Sequence, residues 1–153
     1  MAMQTFSRSL PMMLYRTLDA VMPRFRSIFG EFGLTEQQWR VLRVLWEVDG
    51  IGFSDLAETT CIPAPSLVGV VDRLAKNGLV ERRRSDADRR MVFVHATETG
   101  QQLEERVRPE VVRAYGELQA SIDPADWERL ISGMEAIIAA CERHDERRRA
   151  INE

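Results

Sequence analysis

Five arginines fall within nine residues, at Arg82, Arg83, Arg84, Arg89 and Arg90, and Asp86 and Asp88 interrupt the run. A guanidinium is planar, permanently charged and carries a fork of donors that suits phosphate oxygens and the acceptor edge of guanine. Neighbouring carboxylates can orient such groups one by one. The run separates two β-prone stretches, 79–84 and 91–97. The second alternates Met91, Phe93 and His95 against Val92, Val94 and Ala96, so a hairpin with an arginine-flanked tip is predicted. Taken alone, the charge run is equally well read as a solvated turn. The residues that precede it decide between the two.

Other reactive side chains are sparse. His95 lies on the second strand and His144 in a charged tail, and the sequence contains no nucleophile elbow, phosphate loop or metal-spaced cluster. Catalysis is therefore not expected, nor is a cofactor or a metal. Cys61 and Cys141 stand far apart with no companion ligand, which fits ordinary small buried residues. The alternative is a cysteine-based redox sensor, for which Cys61 is the candidate.

The segment 62–80, IPAPSLVGVVDRLAKNGLV, reads as one helix bounded by Pro65 in its first turn and Gly78 as a left-handed stop. Leu67, Val70, Val71 and Leu74 follow the i, i+3, i+4, i+7 rule and must face a core. Ala64, Ser66, Val68, Gly69, Asp72 and Arg73 then point outward, and a face so lacking in bulk can lie close against another surface. Upstream, Thr35 to Gln38 has the form of a capping box. It opens a helix through Trp39, Leu42, Leu45 and Trp46 that ends at the Asp49-Gly50 turn. Ser54 is the expected cap of a short helix, 55–60. Helix, short helix, outward-facing helix and hairpin, in that order, predict a winged helix-turn-helix, a mainly α fold with a β-hairpin wing. Such a fold sets its second helix in the major groove of DNA and its wing against the flanking backbone.

The ends of the chain carry long apolar stripes. The first runs from Leu14 to Phe32, with a bend expected at Pro23 and an end at Gly30 and Gly33. A helix capped by Thr97 carries Leu103, Val107, Val111 and Tyr115, with a bend expected at Pro109. Another starts at Asp123-Pro124, and its charged tail, 144–153, is expected to fray. These faces need burial, which points to a dimerisation layer built from 1–34 and 98–153 around a DNA-binding domain at 35–97. A non-DNA-binding helical interaction module is the rival, but it would have no use for an arginine-rich wing.

With 153 residues, 44% hydrophobic, and a net charge of −3, the chain suits one folding unit, and any contact with nucleic acid must come from a local patch. The start lacks the pattern of a signal peptide and no apolar run is long enough to span a membrane, so the expected location is the cytoplasm.

The stretch DLAETTCIPAPSLVGVVDRLAKNGLVERRRSDADRRMVFVHATETG, 55–100, resembles the MarR family of bacterial transcriptional regulators, whose elements DLA, RL, GLV and an Asp/Arg-rich wing recur here in order and spacing. The resemblance covers nearly the whole chain and implies a triangular homodimer that binds double-stranded operator DNA. It places Pro65, Ser66, Val68, Gly69 and Arg73 on the recognition helix, with Arg83, Arg84, Asp88, Arg89 and Arg90 in the wing. Arg90 falls on the arginine that enters the minor groove, and Asp88 on the aspartate that supports it. SLPMMLYRTLDAVMPRFR, LTEQQWRVLRVLWE and FSDLAETTCIPAPSLVGVVDRL are further similar to the homoprotocatechuate-degradation branch. That branch represses aromatic catabolism and is relieved by small aromatic acids. Arg16, set beside Met12, Met13, Leu14 and Tyr15, is the candidate anchor for such a carboxylate, because a partly buried arginine can grip one by two parallel hydrogen bonds. Ser9, Met13, Trp39, Arg40 and Tyr115 are the accompanying candidates.

Overall fold

The computed structural model describes residues 5–85 and 91–152, with side chains through His144. A 3-10 turn at Phe6–Arg8 precedes α1 (Leu10–Glu31), α2 (Glu36–Leu45), β1 (Ile51–Gly52), α3 (Phe53–Thr60), α4 (Ala64–Lys76), β2 (Val80–Arg84), β3 (Val92–Ala96), α5 (Glu98–Ala120) and α6 (Pro124–Asn152). The chain divides into two compact units, 1–111 and 112–153.

In the first unit, α1 starts at Leu10, ahead of the predicted stripe, with Pro11 in its first turn where a missing amide proton costs nothing. It runs unbroken through Pro23 and Gly30 to Glu31. The stop is Gly33, at φ +70°. The Leu34 amide donates back to the Phe29 carbonyl at 2.9 Å and the Gly33 amide to the Gly30 carbonyl at 3.0 Å. These are the two bonds of a Schellman motif, and Phe29 and Leu34 bury its apolar contact. The predicted capping box opens α2: the Gln38 amide donates to Thr35 Oγ1 at 3.2 Å and the Thr35 amide to Gln38 Oε1 at 2.9 Å.

Two expectations in the next segment are corrected. Helix α3 begins at Phe53 with Gly52 as its cap, not at Asp55 with Ser54. The reason is a third strand, β1, whose Ile51 and Gly52 pair with Val94 and Phe93, so that the chain passes directly from strand into helix. Cys61 is exposed, as is Cys141. Cys61 takes the left-handed position that ends α3, at φ 52°. Its amide donates to the Glu58 carbonyl and that of Ile62 to the Ala57 carbonyl, both at 3.1 Å. It is therefore Ile62 that swings into the core, 2% exposed.

Helix α4 buries the predicted stripe completely, with Leu67, Val70, Val71 and Leu74 all at 0% exposure. Each such side chain contributes about 1.5–3 kcal/mol by leaving water. Gly78 stops the helix at φ +70°, and the Leu79 amide returns to the Leu74 carbonyl at 3.0 Å. The antiparallel sheet has the order β1-β3-β2, with Val80 opposite Ala96, Arg82 opposite Val94 and Arg84 opposite Val92. Val80 and Val94 close the core beside Val41, Leu42 and Leu56. Thr97 Oγ1 accepts from the Gly100 amide at 3.1 Å, capping α5 as expected, and donates to the Gly78 carbonyl at 2.6 Å. Gly100 lies so close to β2 that a Cβ there would stand 2.2 Å from the Leu79 carbonyl oxygen. Its own carbonyl accepts from Trp46 Nε1 at 3.0 Å. Helices α2 to α4 and this small sheet form a winged helix-turn-helix.

Helix α5 continues through Pro109. In the second unit, Asp123 Oδ1 accepts from the Ala125 amide at 2.9 Å and starts α6. Tyr115 packs edge-on against Trp127, with ring centroids 5.6 Å apart. Helix α6 extends through the charged end of the chain to Asn152. No helix among the described residues is long and apolar enough to cross a membrane.

Candidate nucleic-acid interface

The amphipathic pattern of α4 puts its unburied side in solvent. Pro65, Ser66, Val68, Asp72 and Arg73 are exposed and Gly69 is half-buried. The Arg73 guanidinium folds back over Gly69, where a Cβ would touch Nη1 at 3.4 Å. Small residues thus hold the surface low through the first turns, and the cation stands at the C-terminal end of the same face.

Beside this face lies a concavity of about 750 Å³ lined by Phe53 and Asp55 of α3, Val68 of α4, Arg82 and Arg84 of β2, and Val92 of β3. The pleat explains the pairing of arginines. Val80 must point inward, so Arg82 and Arg84 share its side of the ribbon while Glu81 and Arg83 take the other. Arg82 donates to Asp72 Oδ1 at 2.6 Å, and its guanidinium lies 5.3 Å from the centroid of the Phe53 ring. One side chain therefore ties β2, α4 and α3 together. Arg83 instead pairs with Glu81 on the opposite face.

Of the predicted wing residues, Arg84 joins the α4 face and Arg83 does not, whereas Asp86, Asp88, Arg89 and Arg90 lie outside the described residues. Arg82 belongs to the arginine run but is not among the DNA-contacting residues expected from sequence. The signal was available in its two-residue spacing from Val80, which has to be buried.

The residues proposed for a carboxylate ligand are scattered in character. Arg16 is exposed on α1, not partly buried, because its neighbours Met13, Leu14, Tyr15 and Leu18 are themselves 42–67% exposed in the single chain. Ser9 is half-buried and its hydroxyl donates to the Phe6 carbonyl at 2.8 Å. Trp39 stacks on Phe29, with centroids 4.7 Å apart, and meets the edge of Trp46. Arg40 donates to the Thr60 carbonyl at 3.0 Å and faces Glu36 at 3.4 Å. Tyr115, in the second unit, is 47% exposed.

Residues 34–92 match the family model of MarR. The homoprotocatechuate degradative operon repressor of Escherichia coli is 36% identical over 131 residues, which cover 86% of this chain and 88% of that protein. NadR, solved in complex with 4-hydroxyphenylacetate, superposes with a TM-score of 0.76 at 34% identity, covering 90% of this chain and 97% of NadR. CouR bound to a 23-mer DNA duplex gives a TM-score of 0.78 at 29% identity, covering 91% of this chain and 98% of CouR. With an exposed helix of small residues flanked by wing arginines, and with relatives of this identity and coverage, the chain belongs to the MarR family: it is a DNA-binding transcriptional regulator, not an enzyme.

Proposed function

We propose that the chain is a two-fold dimer that represses an aromatic-catabolic operon by binding a pseudo-palindromic operator, and that a small aromatic carboxylate releases it. The observation that carries the DNA reading is the convergence of the α4 face with Arg82 and Arg84 on one concavity. In the dimer, α4 enters the major groove and Pro65, Ser66, Val68, Gly69 and Arg73 meet the bases and their phosphates, while the wing residues Arg84, Asp88, Arg89 and Arg90 serve the flanking duplex. Residues 35–97 read DNA and the segments 1–34 and 98–153 dimerise. Support for the dimer layer comes from the exposed apolar side chains Leu10, Met13, Leu14 and Leu18 on α1 and Leu130, Ile137 and Ile138 on α6. Surfaces of that kind are covered in the functional assembly.

The ligand class rests on similarity to NadR, whose structure holds 4-hydroxyphenylacetate. In this chain Arg16 supplies the cation, on an exposed apolar stretch of α1 that the proposed dimer covers, with Ser9, Met13 and Trp39 as companions. Linkage requires the ligand to favour the free dimer over the DNA-bound one by the factor through which it weakens DNA binding. The test selects a tight duplex from a random pool, then measures its affinity with and without 4-hydroxyphenylacetate for the wild type and Arg16→Ala. The ligand should weaken binding by the wild type while leaving the variant unmoved. An equal response from both at the same ligand concentration removes Arg16 from the site, and no response from either removes this ligand.

A further inference from the structure

Arg40 is tied at its head to two helices although its side chain is 38% exposed. Nη1 donates to the Thr60 carbonyl at 3.0 Å, Nη2 faces Glu36 Oε1 at 3.4 Å, and Nε is buried without a hydrogen bond among the described residues. A guanidinium binds a carboxylate through its Nη pair or through Nε with one Nη. Thr60 and Glu36 face both Nη atoms and Nε is buried, which places Arg40 better to hold these two helices than to grip a free carboxylate.

What Arg40 holds is the end of α3. Thr60 is 3% exposed, and its own hydroxyl donates to the Leu56 carbonyl at 2.6 Å. The next residue, Cys61, makes the left-handed turn. Pro63, two further on, caps α4, and its carbonyl accepts from the Ser66 and Leu67 amides. A cation on the last carbonyl of α3 also opposes the negative end of that helix. Glu36 is shared: its other oxygen accepts from Arg26 Nε of α1 at 2.8 Å. The chain Arg26, Glu36, Arg40 and Thr60 thus runs from α1 through α2 to the corner that aims α4.

We propose that this chain of charges positions the recognition helix, with Arg40 as the positioning residue on the α3–α4 corner and Glu36 as the link through which α1 acts on it. The inference rests on the reading of α4 as the DNA-reading helix. Arg40 directs donors to Thr60 and Glu36, so its removal lowers selective binding without altering the salt dependence that counts phosphate contacts.

The experiment uses the full chain, a duplex selected from a random pool by the wild type, and a scrambled duplex of equal length. Arg40→Met should lower the ratio of selected to scrambled affinity about tenfold and leave the salt slope within about half a unit. Arg40→Lys, which keeps one donor for Thr60, should recover most of the loss. Arg26→Met should lower the ratio about threefold alone and add nothing in the Arg40→Met background, since both act through Glu36. If Arg40→Met fails to fold, Arg40→Gln, which removes the charge facing Glu36, takes its place in the cycle. An unchanged ratio for Arg40→Met with only a lower Tm overturns the proposal, as does a salt slope that falls by a unit or more. An additive cycle overturns the link to α1. Arg73→Ala is the control: if it too leaves selective binding intact, the reading of α4 is what has failed.

Discussion

Replacing Arg84 by alanine should weaken operator binding by an amount that ionic strength sets. Arg84 lies at the outer end of β2, opposite Val92, and lines the concavity beside α4. A lysine or arginine that neutralises one phosphate of B-DNA contributes about 0.9 to the slope of log K against log salt, and a dimer presents two wings, so the variant's slope should fall by about 1.8. The counterion contribution vanishes near 1 M salt. The same slope therefore predicts a loss of about 30-fold at 0.15 M and about 200-fold at 0.05 M, the first equal to about 2 kcal/mol. Arg83→Ala should change the slope by less than half as much, because its guanidinium is on the other face of the ribbon and already neutralises Glu81. Fluorescence anisotropy with a selected duplex from 0.05 to 0.30 M potassium chloride measures both. Equal slopes for the two variants would refute the argument from pleat register, and a salt-independent loss in Arg84→Ala would refute the phosphate contact.

Gly100→Ala should destabilise the fold by about 2–3 kcal/mol, since its Cβ would meet the Leu79 backbone carbonyl at 2.2 Å and no side chain can rotate away. Thermal melting should show Tm lower by about 5–10 °C, and a change under about 2 °C would contradict the close approach. Gly116→Ala, in open space on α5, should do the opposite and gain about 0.4–1 kcal/mol, read from the same melts. Gly69→Glu should abolish operator binding while leaving Tm within a few degrees, because it sets bulk and negative charge on the exposed face of α4; retained binding would remove that face from the interface. Sedimentation at micromolar concentration should give a dimer, and a stable monomer would leave the apolar residues of α1 without their proposed partner.

Features decided by neighbours in the chain were legible from sequence. The capping box at Thr35 and Gln38, the Gly78 stop, the Thr97 cap and the buried face of α4 each depend on residues within about one or two turns, and each stands where its pattern put it. What escaped depends on partners far along the chain. β1 is two residues long and exists because Val94 and Phe93 come beside it, so Ser54 looked like a cap although the helix had already begun. Cys61, with no companion ligand, reads as an ordinary small buried residue, but the left-handed turn it makes leaves it exposed and hands the core to Ile62.

The same distinction explains the site. Composition marked the arginine run, yet which arginines face α4 depends on pleat register, and that register is set by the burial of Val80, not by any property of the arginines. A one-residue slip of β2 would put Glu81 and Arg83 beside Asp72 and carry Arg82 and Arg84 away from it. The wing is then specified at two levels at once. Val80 and Val94, both essentially buried, choose the face, and the Asp72–Arg82 pair over Phe53 holds the chosen face against α4. The burial of Val80 is worth about 1.5–3 kcal/mol, more than the ~1 kcal/mol of an ion pair as exposed as this one. Losing the pair should therefore loosen the angle between wing and helix without letting the strand slip.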